Sequence, residues 1–440
     1  MMTARGRSVE IRQGGKVRIE HGNPFTALKR LLALYGARLH GGAPPFLSGA
    51  VGFVGYEAGR LLERLAVPKR RLHGANGASK RAKVADDFGG QRALLAAGNP
   101  DMCFAFYESI LALDLVRKEG WVAATGLRGP DGCMDAAQGE RARILLATAA
   151  GMPVRPHPAE PRFRLTSPLR SNLTRAGYLR GVRGVKAAIA CGDVYQANFT
   201  QRFSASWAGD PYDLYLRLRT VSPSPFAAYL NFGAVRVLSS SPERFLKVSG
   251  GRVETRPIKG TRPRSTDPGE DRTAALELIK SEKDMAEHVM IVDLERTDLG
   301  KVCETGSVSV REMAALEMFP QVFHLTSTVA GRLRRGLTMT DALVAMFPGG
   351  SITGAPKIRA QEILAGLEPS PRGLYTGALG WIGFTDDCDL SMVIRTVVLS
   401  GTEISFGVGG AVVADSDPEE EYRESLLKAK GIMAALGGEK

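Results

Sequence analysis

Hydrophobic positions along this 440-residue chain follow two rhythms, alternation over short runs and three-to-four spacing over longer ones. Between residues 1 and 160 the alternating runs predict strands at Leu47–Tyr56, Met102–Phe106, Ile110–Leu115 and Trp121–Ala124. Phe25, Leu28, Leu31 and Leu32 share one face of a helix predicted over Phe25–Tyr35. Gly151 through Pro161 carries four prolines and reads as a linker. Beyond it, Thr174 caps a helix reaching Ala190, striped by Tyr178, Val182, Val185 and Ile189. Strands are predicted at Tyr195–Ser206, Phe226–Phe232, Ala234–Ser239 and Arg244–Val248. Thr273–Leu299 predicts one or two helices, and Asp341–Phe347 and Lys357–Leu367 two shorter ones. The chain then reads as strands at Gly377–Phe384, Met392–Leu399 and Glu403–Val413, with a last helix over Pro418–Leu436. Strands come in groups rather than in βα alternation, which favours an α+β architecture of antiparallel sheets covered by helices. Two regions result, 1–160 and 161–440.

Composition narrows the class. With 44% hydrophobic and 24% charged residues the chain can bury a large core. No apolar run approaches the roughly 18 residues of a membrane span, and the polar, Arg-rich first fifteen residues do not resemble a signal peptide. The five cysteines (Cys103, Cys133, Cys191, Cys303 and Cys388) form no Cys-x-x-Cys pair, which excludes a zinc ribbon and argues for a reducing, cytoplasmic setting. The net charge of +12 is local: residues 1–170 hold 26 Lys and Arg against 14 Asp and Glu, and the other 270 hold 32 of each sign. Its densest stretch, Lys69 to Lys83, is interleaved with Gly, Ala, Asn and Ser rather than aromatics. That pattern reads as a solvated surface, not a nucleic-acid site.

Candidate chemistry clusters after residue 190. Phe347–Lys357 resembles a phosphate loop, but Ala355 and Pro356 separate Gly354 from Lys357 and break that motif. Gly407, Gly409 and Gly410 lie in a strand pattern, where glycine lets backbone N–H groups approach an anion. Glu287 interrupts an apolar helix pattern; Glu424 and Lys428 are four apart on the last helix and share a face. Two helical glutamates suit a hard divalent cation, and a surface ion pair is the alternative. Lys259, in Pro257–Arg264, has Arg262 and Arg264 near it in sequence. Such cations, with partial burial, would lower its pKa toward a nucleophilic amine, the alternative being a basic surface turn.

Together these segments resemble the chorismate-utilising enzymes, the family of anthranilate, aminodeoxychorismate, isochorismate and salicylate synthases. The resemblance rests on Gly192–Asn198, Ser241–Phe245, Pro257–Arg264, Ala286–His288 with Ile291–Leu294, Val322–Leu325, Phe347–Lys357, Gly373–Gly377, Val393–Thr396 and Ala414–Lys428, in the family's order. Gly52–Glu57 and Ala105–Asp114 extend it more loosely into the N-terminal region. Thr297 and Ala411 depart from the usual Asn and Gly. The fold it implies is the anthranilate synthase component I-like α+β fold.

Within that resemblance two positions discriminate. Isochorismate- and salicylate-forming members carry a water-activating Lys where this chain has Gln196, so the resemblance implies an ammonia-using enzyme. Pro-Ile-Lys-Gly-Thr at 257–261, with Lys259, resembles the aminodeoxychorismate-forming branch that feeds 4-aminobenzoate and folate synthesis. The anthranilate-forming branch, usually Pro-Ile-Ala-Gly-Thr, is the alternative. The resemblance implies Lys259, Glu243 and His324 as catalytic residues, with Glu287 and Glu424 as Mg²⁺ ligands. Arg395, Tyr375, Gly409, Gly410, Lys428, Thr261 and Gln196 would bind chorismate, and Asp284 and Glu421 would support the metal glutamates. No Cys lies in a nucleophile elbow with a downstream His-x-Glu, so ammonia is expected from a separate glutamine amidotransferase subunit. Neither a nucleic acid nor a membrane is an expected partner.

Overall fold

The computed structural model describes residues 1–35, 45–63, 65, 99–128, 133–134, 136–152, 162–319 and 321–437. The basic stretch Lys69–Lys83 and most of the Gly151–Pro161 linker lie outside them. Two antiparallel sheets organise the described chain. The larger, 12-stranded sheet begins with Ile258–Pro263, Val322–Arg332, Arg252–Arg256, Arg244–Ser249, Cys388–Met392 and Ala378–Gly383. It continues through Gly49–Val54, Met102–Tyr107, Met2–Arg5, Ser8–Gln13 and Lys16–His21, while Ser309–Met318 pairs with Val322–Arg332. One sheet thus crosses the boundary drawn at residue 160, through the pairing of Gly49–Val54 with Ala378–Gly383.

The 8-stranded sheet centres on Gln196–Ala208, Glu403–Val412, Thr396–Ser400 and Val235–Ser241. The two sheets meet through Phe53, Cys103 and Leu379 of one and Val235, Val237 and Val398 of the other. Helices cover the remaining faces. Pro24–Ala33, Glu282–Gly300 and Met339–Met346 pack Phe25, Leu28, Val292, Leu343 and Met346 against the larger sheet. Pro211–Val221 and Pro418–Ala435 pack Leu214, Leu218, Ala429 and Ile432 against the smaller one. This is the α+β layering expected from the grouped strands. No helix of the described residues is long and apolar enough to cross a membrane.

Local chemistry explains the element ends. Thr174 Oγ1 accepts the Gly177 N–H at 3.1 Å, capping Arg175–Ala190 as its sequence predicted. The Thr273–Leu299 pattern resolves into two helices, Pro268–Lys280 and Glu282–Gly300, because Ser281 leaves helical geometry and its hydroxyl caps the second through the Asp284 N–H.

One expectation needs correction, and one alternative left open by the sequence is decided. Met392–Leu399 is not one strand: Cys388–Met392 and Thr396–Ser400 belong to different sheets, and Arg395 turns the chain between them at φ +48°. Pro257–Arg264 is not a surface turn but the strand Ile258–Pro263, bulged between Lys259 and Thr261, where Gly260 adopts φ +74°. The polar N-terminus forms the three strands Met2–Arg5, Ser8–Gln13 and Lys16–His21.

Candidate active site

The site lies where the inner ends of both sheets meet the helices Glu282–Gly300 and Pro418–Ala435. Glu243 sits just before the strand Arg244–Ser249 and is buried. The backbone fixes it: its N–H points to Ser241 Oγ at 3.3 Å, and its carbonyl accepts the Met392 N–H at 3.0 Å. Ser351 Oγ donates to Glu243 Oε1 at 2.7 Å. Burial pushes the Glu243 carboxyl up to about 7, against the pull of Ser351, Lys259 and Arg395 toward the carboxylate. At neutral pH a large fraction of Glu243 is a neutral acid.

Lys259 pairs in register with Leu325, and the Gly260 bulge lets Thr261 face His324. Burial holds the Lys259 amine below its ordinary value; Lys428 adds to that shift, while Glu287, Glu243 and Glu424 oppose it. The sequence argument had assigned this effect to Arg262, Arg264 and partial burial, and burial is the first of the causes found. Both arginines are engaged elsewhere: Arg262 donates to Asp284 Oδ2 at 2.9 Å, and Arg264 grips Asp271 with two bonds of 2.8 Å. Arg264 also covers the Phe323 ring at 4.6 Å. Asp284 is therefore an ion-pair partner of Arg262, one turn before Glu287.

His324 is buried, its Nδ1 2.9 Å from Thr261 Oγ1 and its Nε2 without a protein partner. Burial, then Arg395 and Lys428, push it down to about 4, so the ring is neutral at physiological pH. Arg395 is half-buried, and desolvation lowers its pKa against the pull of Glu243. Gln196 is fully buried; its Nε2 donates to Asn198 Oδ1 at 3.2 Å, while its Oε1 has no partner. Asn198 Nδ2 in turn donates to the Ser351 carbonyl at 2.7 Å, which links Gln196 to the turn that holds Glu243.

A carboxylate cluster forms the other wall. Glu424 pairs with Lys428 at 2.6 Å, and Lys428 Nζ donates to the Gly409 carbonyl at 3.2 Å. That ion pair is the first cause of a lowered Glu424 pKa. Glu287 is raised instead, by burial and by Asp284 and Glu424, against Lys259 and Lys283. Glu421 Oε1 accepts from Ser416 Oγ at 2.7 Å, while Oε2 is buried without a partner. A Cβ at Gly410 would stand 2.8 Å from that Oε2 and 3.5 Å from Glu424 Oε1, so only glycine leaves the carboxylates their place. Among the described residues no three His, Cys, Asp or Glu side chains already cage a metal. Glu287 and Glu424 could hold one if further oxygens came from a bound molecule.

The Tyr375 ring lies flat on Gly407, where any side chain would collide with it. Its phenol is held well above the ordinary value by burial, with Arg372 and Glu368 the charges acting on it. Thr376, the next residue, turns the chain at φ +61°.

Several participants had escaped sequence reasoning. Ser351 lay in the Phe347–Lys357 segment, considered only as a phosphate loop. Arg372, adjoining Gly373–Gly377, is a buried hub. It binds Glu368 through Nε and Nη2, the Ile352 carbonyl at 3.0 Å and the Asn198 carbonyl at 2.5 Å. His288, next to Glu287, bonds Ser327 Oγ at 2.5 Å and ties its helix to the strand Val322–Arg332.

Comparison with known proteins identifies the family. The model of a chorismate binding enzyme family matches residues 81–434. Aminodeoxychorismate synthase component 1 of Salmonella typhimurium is 39% identical over 89% of this chain and 77% of its own length. Anthranilate synthase component 1 of Streptomyces coelicolor is 38% identical over 94% of this chain and 78% of its own. The crystal structure of anthranilate synthase component I from Streptococcus pneumoniae superposes with a TM-score of 0.78 at 29% identity, covering 98% of this chain and 91% of that one. The chain belongs to the chorismate-binding enzymes.

Proposed function

We propose, with that family membership as premise, that the chain is the synthase component that converts chorismate and ammonia to 4-amino-4-deoxychorismate. The observation that carries this reading is Lys259, a half-buried amine of lowered pKa between Glu243 and Glu287. A relative of comparable identity is named for anthranilate formation, so the choice between the two products rests on this residue.

Lys259 has the properties of a nucleophile, because burial disfavours its ammonium form. Glu243 has those of a general acid, because near pH 7 it still carries a proton. In the reaction proposed, the Lys259 amine attacks C2 of chorismate, both conjugated ring double bonds shift toward C4, and the C4 hydroxyl leaves as water with the Glu243 proton. Ammonia then adds at C4, both double bonds shift back, the C2–N bond to Lys259 breaks, and the C4 ammonium returns a proton to Glu243, giving the product and the free amine. The neutral His324, with Nε2 open, can accept a hydrogen bond from the departing hydroxyl. Gln196 has no basic lone pair to activate water, which removes the competing hydroxylation.

The dianionic substrate needs counter-charge. Arg395 and Lys428 supply two cations, and the glycine backbone at Gly409–Gly410 leaves room for a close approach. The all-oxygen donor set of Glu287 and Glu424, with the unpaired Glu421 Oε2 behind it, fits Mg²⁺. When bound, Mg²⁺ would polarise the ring carboxylate and draw electron density toward it. Relatives named component 1 support a partner subunit, which we propose to be the glutaminase that supplies ammonia.

The test is product identity. Purified chain with chorismate, ammonia and Mg²⁺ should yield a product that becomes 4-aminobenzoate only after a lyase is added. Direct appearance of fluorescent anthranilate would overturn the assignment. Glutamine should not replace ammonia until a glutaminase subunit is added.

A further inference from the structure

We propose that Glu57, in the N-terminal region, is a positioning residue for the substrate pocket, acting through the loop Arg372–Gly377. This rests on the reading of the site above but not on which product it forms.

The geometry is a clasp. The two oxygens of Glu57 accept separate backbone N–H groups, Oε1 from Arg372 and Oε2 from Gly373, each at 2.8 Å. Beside it the Tyr56 N–H donates to the Gly373 carbonyl at 2.8 Å, and the Tyr56 ring lies 4.5 Å from the Arg372 guanidinium carbon. Three hydrogen bonds and a cation–π contact therefore hold two consecutive residues of the loop to the short helical turn Tyr56–Leu61. Charge-assisted bonds to backbone N–H groups are among the stronger hydrogen bonds a protein makes. Gly373, at φ +66°, adopts a conformation that few side chains would allow.

The clasped loop reaches three walls of the pocket. The Arg372 guanidinium donates to the Ile352 carbonyl, next to the Ser351 that holds Glu243. It donates to the Asn198 carbonyl, whose side chain holds Gln196. At the far end, Thr376 N–H donates to the Val393 carbonyl at 2.7 Å and Val393 N–H to the Gly377 carbonyl at 2.8 Å, two residues before Arg395. Glu57 touches no reacting atom; it anchors the start of the loop whose far end is bonded to Val393, two residues before Arg395. The Glu368 carboxylate still grips the Arg372 side chain when Glu57 is gone, so the Ser351–Glu243 wall is the better protected.

Glu57→Gln keeps the volume but replaces one acceptor by an NH₂ group that faces an N–H donor. The expected result is a chorismate KM raised about tenfold, roughly the effect of losing one charge-assisted bond, with kcat within about threefold of the parent. Hydrogen exchange should quicken in the peptide covering residues 371–378 and not across the rest of the molecule, and saturating chorismate should restore protection there. A variant with parental KM, or one whose exchange rises uniformly with a lower Tm, would overturn the proposal and leave Glu57 a structural residue. KM is read whichever amine forms, so anthranilate as product would overturn the C4 assignment and leave this test standing.

Discussion

Replacing Ser351 by alanine removes one hydroxyl from a buried site and tests the electrostatics of the proposed acid. The lost bond is the 2.7 Å donation to Glu243 Oε1, which favours the carboxylate over the neutral acid. A hydrogen bond to a charged group contributes about 1.5–3 kcal/mol, and one pH unit corresponds to about 1.4 kcal/mol. Without it the Glu243 titration should rise from about 7 by roughly one to two units. Glu243 works in its protonated form, so activity is lost as pH climbs through its pKa, and the alkaline limb must move upward. The step to follow is formation of the Lys259 adduct in a single turnover with chorismate and Mg²⁺. Omitting ammonia keeps ammonia's own titration out of the profile. Rapid quenching and mass spectrometry across the neutral and alkaline range give the limb directly. An alkaline limb that remains near 7 or falls in Ser351→Ala would refute Glu243 as the proton donor.

The same residue carries a stability cost. Its folded-state pKa of about 7 lies above the ordinary glutamate value of 4.5, so the stability it contributes is intact below about pH 4 and lost as pH rises through 7. Glu243→Gln should therefore be inactive yet more stable than the parent at pH 8, by at most about 3 kcal/mol, with the gain vanishing near pH 4; equal melting temperatures at pH 8 would contradict this. For the metal wall, EDTA should abolish turnover and Mg²⁺ restore it. Glu287→Gln and Glu424→Gln should each lose activity while keeping a cooperative melt, and full activity of both in metal-free buffer would remove them as ligands.

Much of this molecule was legible in its sequence, and the exceptions share a physical cause. Lys357–Leu367 and the Thr174-capped helix were readable because spacing and caps are local. Lys259, Glu243, His324, Arg395, Glu287, Glu424 and Lys428 are ionisable groups, each with its titration shifted by, or itself shifting, others of the set. What escaped depends on partners distant in the chain. The Ser351–Glu243 bond spans 108 residues, the Arg372–Asn198 bond 174 and the Arg372–Glu57 bond 315. No periodicity records such pairs. The Pro257–Arg264 segment misled for a related reason. Its proline, glycine and basic residues are those of a turn, and only pairing with Val322–Arg332 makes it a strand. The lowered Lys259 pKa and the part played by burial were anticipated, but the arginines adjacent in sequence take no part, since salt bridges to Asp284 and Asp271 occupy them.

The central claim is that Lys259 forms a covalent bond to the substrate before ammonia arrives. Mass spectrometry of the chain with chorismate and Mg²⁺, ammonia withheld, should find chorismate less one water on the peptide spanning residues 257–264. Adding ammonia should release it as 4-amino-4-deoxychorismate, and neither Lys259→Ala nor Lys259→Arg, whose guanidinium stays protonated, should form it. An unmodified peptide in the parent, together with a parental rate of amination by Lys259→Ala, would contradict the account.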